Sequence, residues 1–407
     1  MISQELNDRI TRIGPSTPAG AVLRRYWQPA ALADELLVED SVPVNLLGER
    51  LALVRNKTGQ LVLATRVATD DEPSAFYPNI KDIVIDADGP VYPVVKRQGL
   101  YFAYMGSSTP PEFPNFDCFR APESHVFAFK GLWECNWLQA LEIGIDPAHA
   151  SFLHRFLEDE VSHDGYGKQF RDKAAHTDMP MTQILREYPR PDIDVEETDF
   201  GLKITALRTL DDGLTHVRVT NQIFPETICI PMSREMTITQ WHVPIDDETC
   251  YWYTMFTSFQ KPIDKDLMRE QRLKEHRLPD YAPLKNRDNN YHYDPAEQAS
   301  TTYTGMGLDI NVHDQWAVEG MGRIQDRTQE HLGRSDAAII RYRRMLRAAI
   351  ASIEDGAEDL PMLNGTSPSQ ITGPLSNDAI TKSDDWRNAS RLADIARRAE
   401  CPWDATV

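Results

Sequence analysis

The sequence predicts an α+β fold in which two antiparallel β regions follow one another and helices close the chain. Three observations predict it. Short β-rich runs punctuated by turn residues fill Val42 to Thr65 (VPVNLLGERLALVRNKTGQLVLAT) and resume in IVIDADGPVYPVVKRQGLYFAYMG. A proline-rich connector, SSTPPEFPNF, then sets the main domain boundary close to residue 120, dividing the chain into 1–120 and 121–407. Beyond it, four strand-like runs, Leu202 to Leu207, His216 to Ile230, Met236 to Val243 and Tyr251 to Phe259, alternate and are rich in aromatic residues, as expected of one antiparallel sheet with a covered face.

The remaining elements follow in order. Residues 15–35 carry a short helix, because Ser16 or Thr17 can cap it and Pro18 fits its first turn; it stops near Trp27, before Pro29. In the first β region the turns fall at LGER, NKTG, DADG and KRQG, and ATDDEPSAFYPNIKD reads as a loop. A second polar loop extends to about residue 195. DKDLMREQRLKEHR is a charged surface helix, and a polar loop runs from 279 to 305. From Asp314 the chain turns helical; SDAAIIRYRRMLRAAIASIEDG is a helix with Ser335 as cap and Gly356 near its end, and SDDWRNASRLADIARRAE is the last one.

Composition narrows the function. A net charge of −19 repels nucleic acid and acidic membranes, whose recognition requires clustered Lys and Arg. No run of about 18 apolar residues exists to span a membrane. MISQELNDRITRIGPSTPAG has neither the basic start nor the apolar core of a secretion signal, so the expected compartment is the cytoplasm. The five cysteines are odd in number, scattered and without a CxxC pair, which predicts reduced thiols.

Chemistry concentrates in CNWLQALEIGIDPAHASFLHR, from Cys135 to Arg155, where Asp146, His149 and His154 lie within nine residues among apolar side chains. Two imidazoles and one carboxylate with open positions suit non-heme Fe(II). Histidines this close are also common on ordinary polar surfaces, but unpaired His and Asp among Leu138, Leu141, Ile145, Phe152 and Leu153 would be costly. A third ligand has to come from elsewhere, and by pattern alone Asp314, Glu319 and Asp326 compete equally. Arg208 and Arg218, on predicted strands, can pair with a substrate carboxylate; outward-facing strand residues fit their pattern as well. A hydrolase using the histidine pair would lack a GxSxG nucleophile motif.

The chain resembles the catalytic α-subunits of Rieske non-heme iron aromatic-ring oxygenases, in the branch of phthalate dioxygenase and related O-demethylases. TPAGAVLRRYWQPAAL, YPVVKRQGLYFAYMG, NWLQALEIGIDPAHASFLHR and DQWAVEGMGRIQDRTQEHLGRSDAAIIRYRRML carry the resemblance nearly end to end. It implies that His149 and His154 are ligands of a mononuclear Fe(II) and that Asp314, in a DxxxxExxG arrangement with Glu319 and Gly322, is the carboxylate ligand. It makes Asp146 the aspartate that links the iron to a neighbouring subunit's cluster, and puts a pocket asparagine at Asn136. The implied fold is a Rieske-type β domain followed by a helix-grip catalytic domain. The implied activity is O2-dependent hydroxylation or O-demethylation of an aromatic, carboxylated compound, with a reductase or ferredoxin as donor and a homotrimer or mixed oligomer as the assembly.

One departure stands against this match. Family members hold a Rieske [2Fe-2S] cluster with a CxH and a CxxH pair in the N-terminal domain, whereas here the first cysteine is Cys118 and the first histidine His125. Either the cluster-binding lobe is missing from the chain, or the subunit receives electrons from a partner's cluster. A catalytically silent subunit with an assembly or regulatory role is the alternative reading.

Overall fold

The structure, a computed structural model, describes residues 1–38, 40–67, 83–159, 179–211, 213–233, 235–357, 366–382 and 385–404. The loop expected after Val67 and most of the polar stretch before residue 195 lie outside them. The first sheet contains β1 (Gln28–Leu32), β2 (Val42–Leu46), β3 (Glu49–Arg55), β4 (Leu61–Thr65), β5 (Val91–Arg97) and β6 (Leu100–Ala103), in the order β1-β6-β5-β4-β3-β2. The meander read from Val42 to Thr65 is thus β2 to β4. Its first turn has Leu47 and Gly48 at positive φ, the second at φ +76°. β4 pairs directly with β5, Leu63 opposite Tyr92. The loop between them is drawn in at its base by an Arg66–Ile85 bridge and by the Thr65 N–H donating to the Pro90 carbonyl.

The second sheet contains β7 (Val126–Trp133), β8 (Asp192–Thr198), β9 (Gly201–Thr209), β10 (Leu214–Ile223), β11 (Thr227–Ser233), β12 (Met236–Pro244) and β13 (Cys250–Ser258), in the order β7-β13-β12-β11-β10-β9-β8. A two-stranded ribbon, β14 (His276–Arg277) with β15 (Ala282–Pro283), follows, and β16 (Asp378–Lys382) returns from the C-terminal region to pair with β10. The run read as one strand from His216 to Ile230 is a hairpin, because Phe224-Pro225-Glu226 turns the chain between β10 and β11. β7, β8 and β16 were not expected. β7 is buried along nearly its whole length and so has no alternation to reveal it.

Helices close the second sheet, giving the expected α+β, helix-grip class. Trp137–Gly144 packs on β11 and β12, Ala337–Glu354 on β8 and β9, and Trp386–Ala399 on β10 and β16. Ile310–Gly320 packs against Trp137–Gly144 and against the short helix Ala150–Leu153. The Pro18–Leu23 helix is capped by Thr17, whose hydroxyl accepts from the Gly20 N–H. Ala337–Glu354 starts after Asp336 rather than Ser335, since a single 3-10 turn, Arg334–Asp336, precedes it. Two long-range ties hold this layer. Glu142 accepts from Arg327 (2.8 Å) and Arg343 (2.5 Å), all three buried, and both sheets share one apolar core in which Phe102 of β6 meets Trp241 of β12 at 5.7 Å. None of the described helices is long and apolar enough to cross a membrane.

Candidate metal centre

Asn136 starts the construction of the site. Its side chain accepts from the Leu138 N–H and donates to the carbonyls of Thr11 (3.0 Å) and Asp247 (2.7 Å), so it caps Trp137–Gly144 and anchors the helix to two distant segments. With both ends of its amide occupied, and no contact with the pocket described below, Asn136 is not brought to the site expected of it. The helix stops at Gly144, where an added Cβ would meet the Ile228 side chain at 2.4 Å, and the chain turns at Ile145 into the ligand segment.

There the Asp146 carboxylate accepts from the N–H groups of Ala148 (2.8 Å) and His149 (3.1 Å), closing the turn that starts Ala150–Leu153. The Asp146 main-chain carbonyl pairs with His149 Nδ1. A carbonyl only accepts, so Nδ1 carries a proton, which in the neutral ring leaves Nε2 as the nitrogen with the lone pair. His154 ends the short helix. Its Nε2 lies 3.3 Å from Asp314 Oδ1, and His149 Nε2 lies 3.6 Å from the same oxygen. The two imidazole rings stand edge to face, with centroids 5.0 Å apart.

Asp314 comes from the middle of Ile310–Gly320, a helix capped by Asp309. The two carboxylates that competed with it in sequence are engaged elsewhere. Glu319 accepts from the Glu134 N–H (2.8 Å), from Gln315 (2.9 Å) and from the Tyr291 hydroxyl, and Asp326 is exposed and accepts from its own turn at Thr328. Burial pushes the Asp314 carboxyl up to about 7 and holds His154 well below the usual imidazole range, the neighbouring rings adding to the latter shift. Among the described residues, His149, His154 and Asp314 form the one group of three whose ligand atoms all lie within 4.8 Å of one another. Asp314 Oδ1 and His154 Nδ1 are buried without a hydrogen-bond partner. Two imidazole Nε2 atoms thus converge on one buried carboxylate oxygen, and two nitrogens with one carboxylate oxygen fit a divalent metal such as iron.

The ligands face a cavity of about 1020 Å³ of empty space, open at its mouth, whose apolar walls include Trp133, Ile143, Leu185 and Trp252. Arg208 and Arg218 both line it. They differ in partners. Arg218 of β10 donates to both oxygens of Asp378 (3.0 and 2.9 Å), its cross-strand neighbour on β16, and Asp378 also pairs with His216 at 3.2 Å. Burial raises the Asp378 carboxyl, but Arg218 and His216 outweigh it and hold the group at about 2. Arg208 of β9 is 1% exposed and, among the described residues, donates to neutral acceptors only, the carbonyls of Tyr188 (3.1 Å) and Pro147 (3.2 Å) and the Ser151 hydroxyl (3.2 Å). Its Nη1 has no partner, and burial, then the charge of Arg218, lowers its pKa to about 10.

Three participants escaped the sequence reading. Asp378 sits in what reads as a polar tail, and nothing local marks its pairing with β10. Asn311 and His242 also line the cavity, each with a buried nitrogen that has no hydrogen-bond partner among the described residues, and neither stands in a sequence motif.

A Rieske cluster does not fit the residues of this chain. Neither CxH nor CxxH occurs anywhere in the 407 residues, and no cysteine or histidine precedes Cys118. All five thiols are buried, and desolvation raises Cys118, Cys135, Cys229 and Cys401 above the usual thiol range, the opposite of what a thiolate ligand needs.

Residues 103–401 match the family described as LigXa C-terminal domain like. The chain is 28% identical to the phthalate 4,5-dioxygenase oxygenase subunit of Pseudomonas putida, over 95% of this chain and 94% of that protein. It is 27% identical to the 3-chlorobenzoate-3,4-dioxygenase oxygenase subunit of Comamonas testosteroni (94% and 96%) and 26% identical to the 5,5'-dehydrodivanillate O-demethylase oxygenase subunit of a Sphingobium strain (88% and 82%). The first of these alignments runs over 433 residues, more than the chain possesses, so the relative carries residues that have no counterpart here. With the matched family spanning most of its length, the chain belongs to the α-subunits of Rieske-type non-heme iron oxygenases and is an enzyme of that kind, a terminal oxygenase component.

Proposed function

We propose that His149, His154 and Asp314 hold one ferrous ion, and that the chain uses it with O2 to hydroxylate or O-demethylate an aromatic monocarboxylate. The convergence of two Nε2 atoms and one unpartnered carboxylate oxygen carries this reading. When bound, ferrous iron supplies a centre at which O2 can be reduced beside the substrate. The rest falls to side chains. The Asp146 carbonyl pairs with His149 Nδ1 and so turns Nε2 toward the other ligands, and the Asp146 carboxylate fixes the turn between the two histidines. The apolar walls take the aromatic ring and exclude water, while the free Nη1 of Arg208 receives the carboxylate. Arg218, already neutralised by Asp378, is better suited to bracing Arg208's strand than to holding a second anion.

Electrons have to enter from a separate redox protein, and Asp146 is the residue through which this reading admits them. Within it, residues 1–120 serve as a docking and assembly unit, 121–407 as the catalytic unit, and the assembly is a homotrimer or a mixed oligomer with a cluster-bearing subunit. The test is to replace His149 or His154 by Ala and measure bound iron. About one iron per chain should fall to near zero with the circular dichroism unchanged; retained iron would sink the assignment.

A further inference from the structure

On the far side of β12 from the metal centre lies a second cavity, with about 630 Å³ of empty space open to solvent. Side chains alternate along a strand, and β12 uses this: Gln240 and His242 line the metal pocket, while Trp241 between them lines the second cavity. The wall is built where three parts of the chain meet. Tyr26 and Trp27 come from the segment before β1, Phe224 and Glu226 from the β10–β11 turn, and Phe200 from the turn between β8 and β9. Tyr26 and Phe224 stand edge to face at 5.7 Å.

Glu226 is the anomaly. It is 1% exposed, its Oε2 has no hydrogen-bond partner, and no lysine, arginine or histidine is among the described residues lining the cavity. A second carboxylate, Glu112, stands at the exposed rim, held by the hydroxyls of Ser367 and Ser369. Gln28 hydrogen-bonds to the Glu226 carboxyl, but no cation among the described lining residues offsets its charge; a buried carboxylate without a counter-charge is costly, and aromatic rings around it attract cations through their negative faces.

We propose that this cavity binds a small alkylammonium ion, the ammonium donating to Glu226 and the alkyl part lying against the aromatic rings. Once Glu226 is ionised, both carboxylates repel anions. A metal ion would find too few ligand atoms, since the remaining lining is aromatic, aliphatic or proline apart from Thr227. Burial pushes the Glu226 carboxyl up to about 8, a hydrogen bond with Gln28 working the other way, so the empty cavity holds the group largely protonated at neutral pH and an arriving cation favours its ionised form. Because β12 separates the two cavities, occupancy does not depend on the metal centre.

The metal-free full chain can therefore be titrated at about pH 9, where Glu226 is ionised and an alkylammonium is still charged, with n-butylammonium and with uncharged butanol, read by calorimetry and by tryptophan fluorescence, to which Trp27 and Trp241 in the cavity wall contribute. Saturable butylammonium binding is expected, at least tenfold tighter than butanol. Glu226→Gln, which keeps shape and removes charge, should weaken butylammonium at least tenfold and leave butanol unchanged. No saturable butylammonium binding, equal affinity for butanol, or undiminished affinity in the Gln variant would each overturn the proposal. Should the variant not fold, the preference of the unaltered chain for butylammonium over butanol still decides.

Discussion

Replacing Asp378 by Asn should both weaken the protein and change which acids it holds. Asp378 carries the charge that neutralises Arg218, and its carboxyl sits at about 2 instead of the usual 3.8. A difference of roughly 2 units corresponds to ~2.5 kcal/mol of preference for the ionised, paired form. Because the folded-state value lies below the unfolded one, that contribution is present above pH about 4 and is lost as the pH falls through the folded value. Removing one partner of a buried pair costs about 3–5 kcal/mol, since the other charge is stranded. The variant should therefore lose about 2–5 kcal/mol at neutral pH, measured by denaturant unfolding. It should also present two uncompensated guanidinium groups, Arg208 and Arg218, to one cavity. Benzoate should stabilise the unaltered chain at least as well as a benzene dicarboxylate, and the order should reverse in the Asn variant. A ligand at about 100 times its Kd adds ~2.7 kcal/mol, enough to see either order in a thermal melt. A loss below about 1 kcal/mol, or the same ligand order in both proteins, would refute the assignment of one free and one neutralised arginine.

Three further outcomes are expected. Arg208→Gln should raise KM for a carboxylate substrate at least tenfold while bound iron stays the same, which steady-state kinetics with metal analysis will read. The purified chain loaded with iron should contain no acid-labile sulfide and give no Rieske signal in the EPR spectrum of the reduced protein; a signal would locate a cluster where neither ligand motif exists. Arg327→Met should cost about 3–5 kcal/mol by leaving Glu142 with one cation in place of two, detectable as a lower unfolding midpoint with the iron ligands untouched.

What could be read in advance depended on whether the signal was local. The β2–β4 meander declares itself through alternation and turn residues, and Asp146, His149 and His154 are close enough in sequence to stand out together. Asp314 is different. Glu319 and Asp326 share its helical setting, and only the packing of Ile310–Gly320 against Ala150–Leu153 turns Asp314 toward the histidines while Glu319 meets the Glu134 N–H. Asn136 was read as a pocket residue, although an asparagine directly before an apolar helical run is also a cap signal, and capping is what its amide does. Arg208 and Arg218 look alike along the chain because the residue that distinguishes them, Asp378, arrives from more than a hundred residues away on β16.

The pairing at the base of the β4–β5 loop bears on how such a chain evolves. Leu63 opposite Tyr92, Arg66 bridged to Ile85 and the Thr65–Pro90 hydrogen bond bring the two ends of that loop side by side within a continuous sheet. Chain inserted between neighbouring ends costs little closure entropy, because that cost rises only slowly with loop length. The sheet is thus a socket, able to gain or shed a whole module at this point while the strands on either side keep their register.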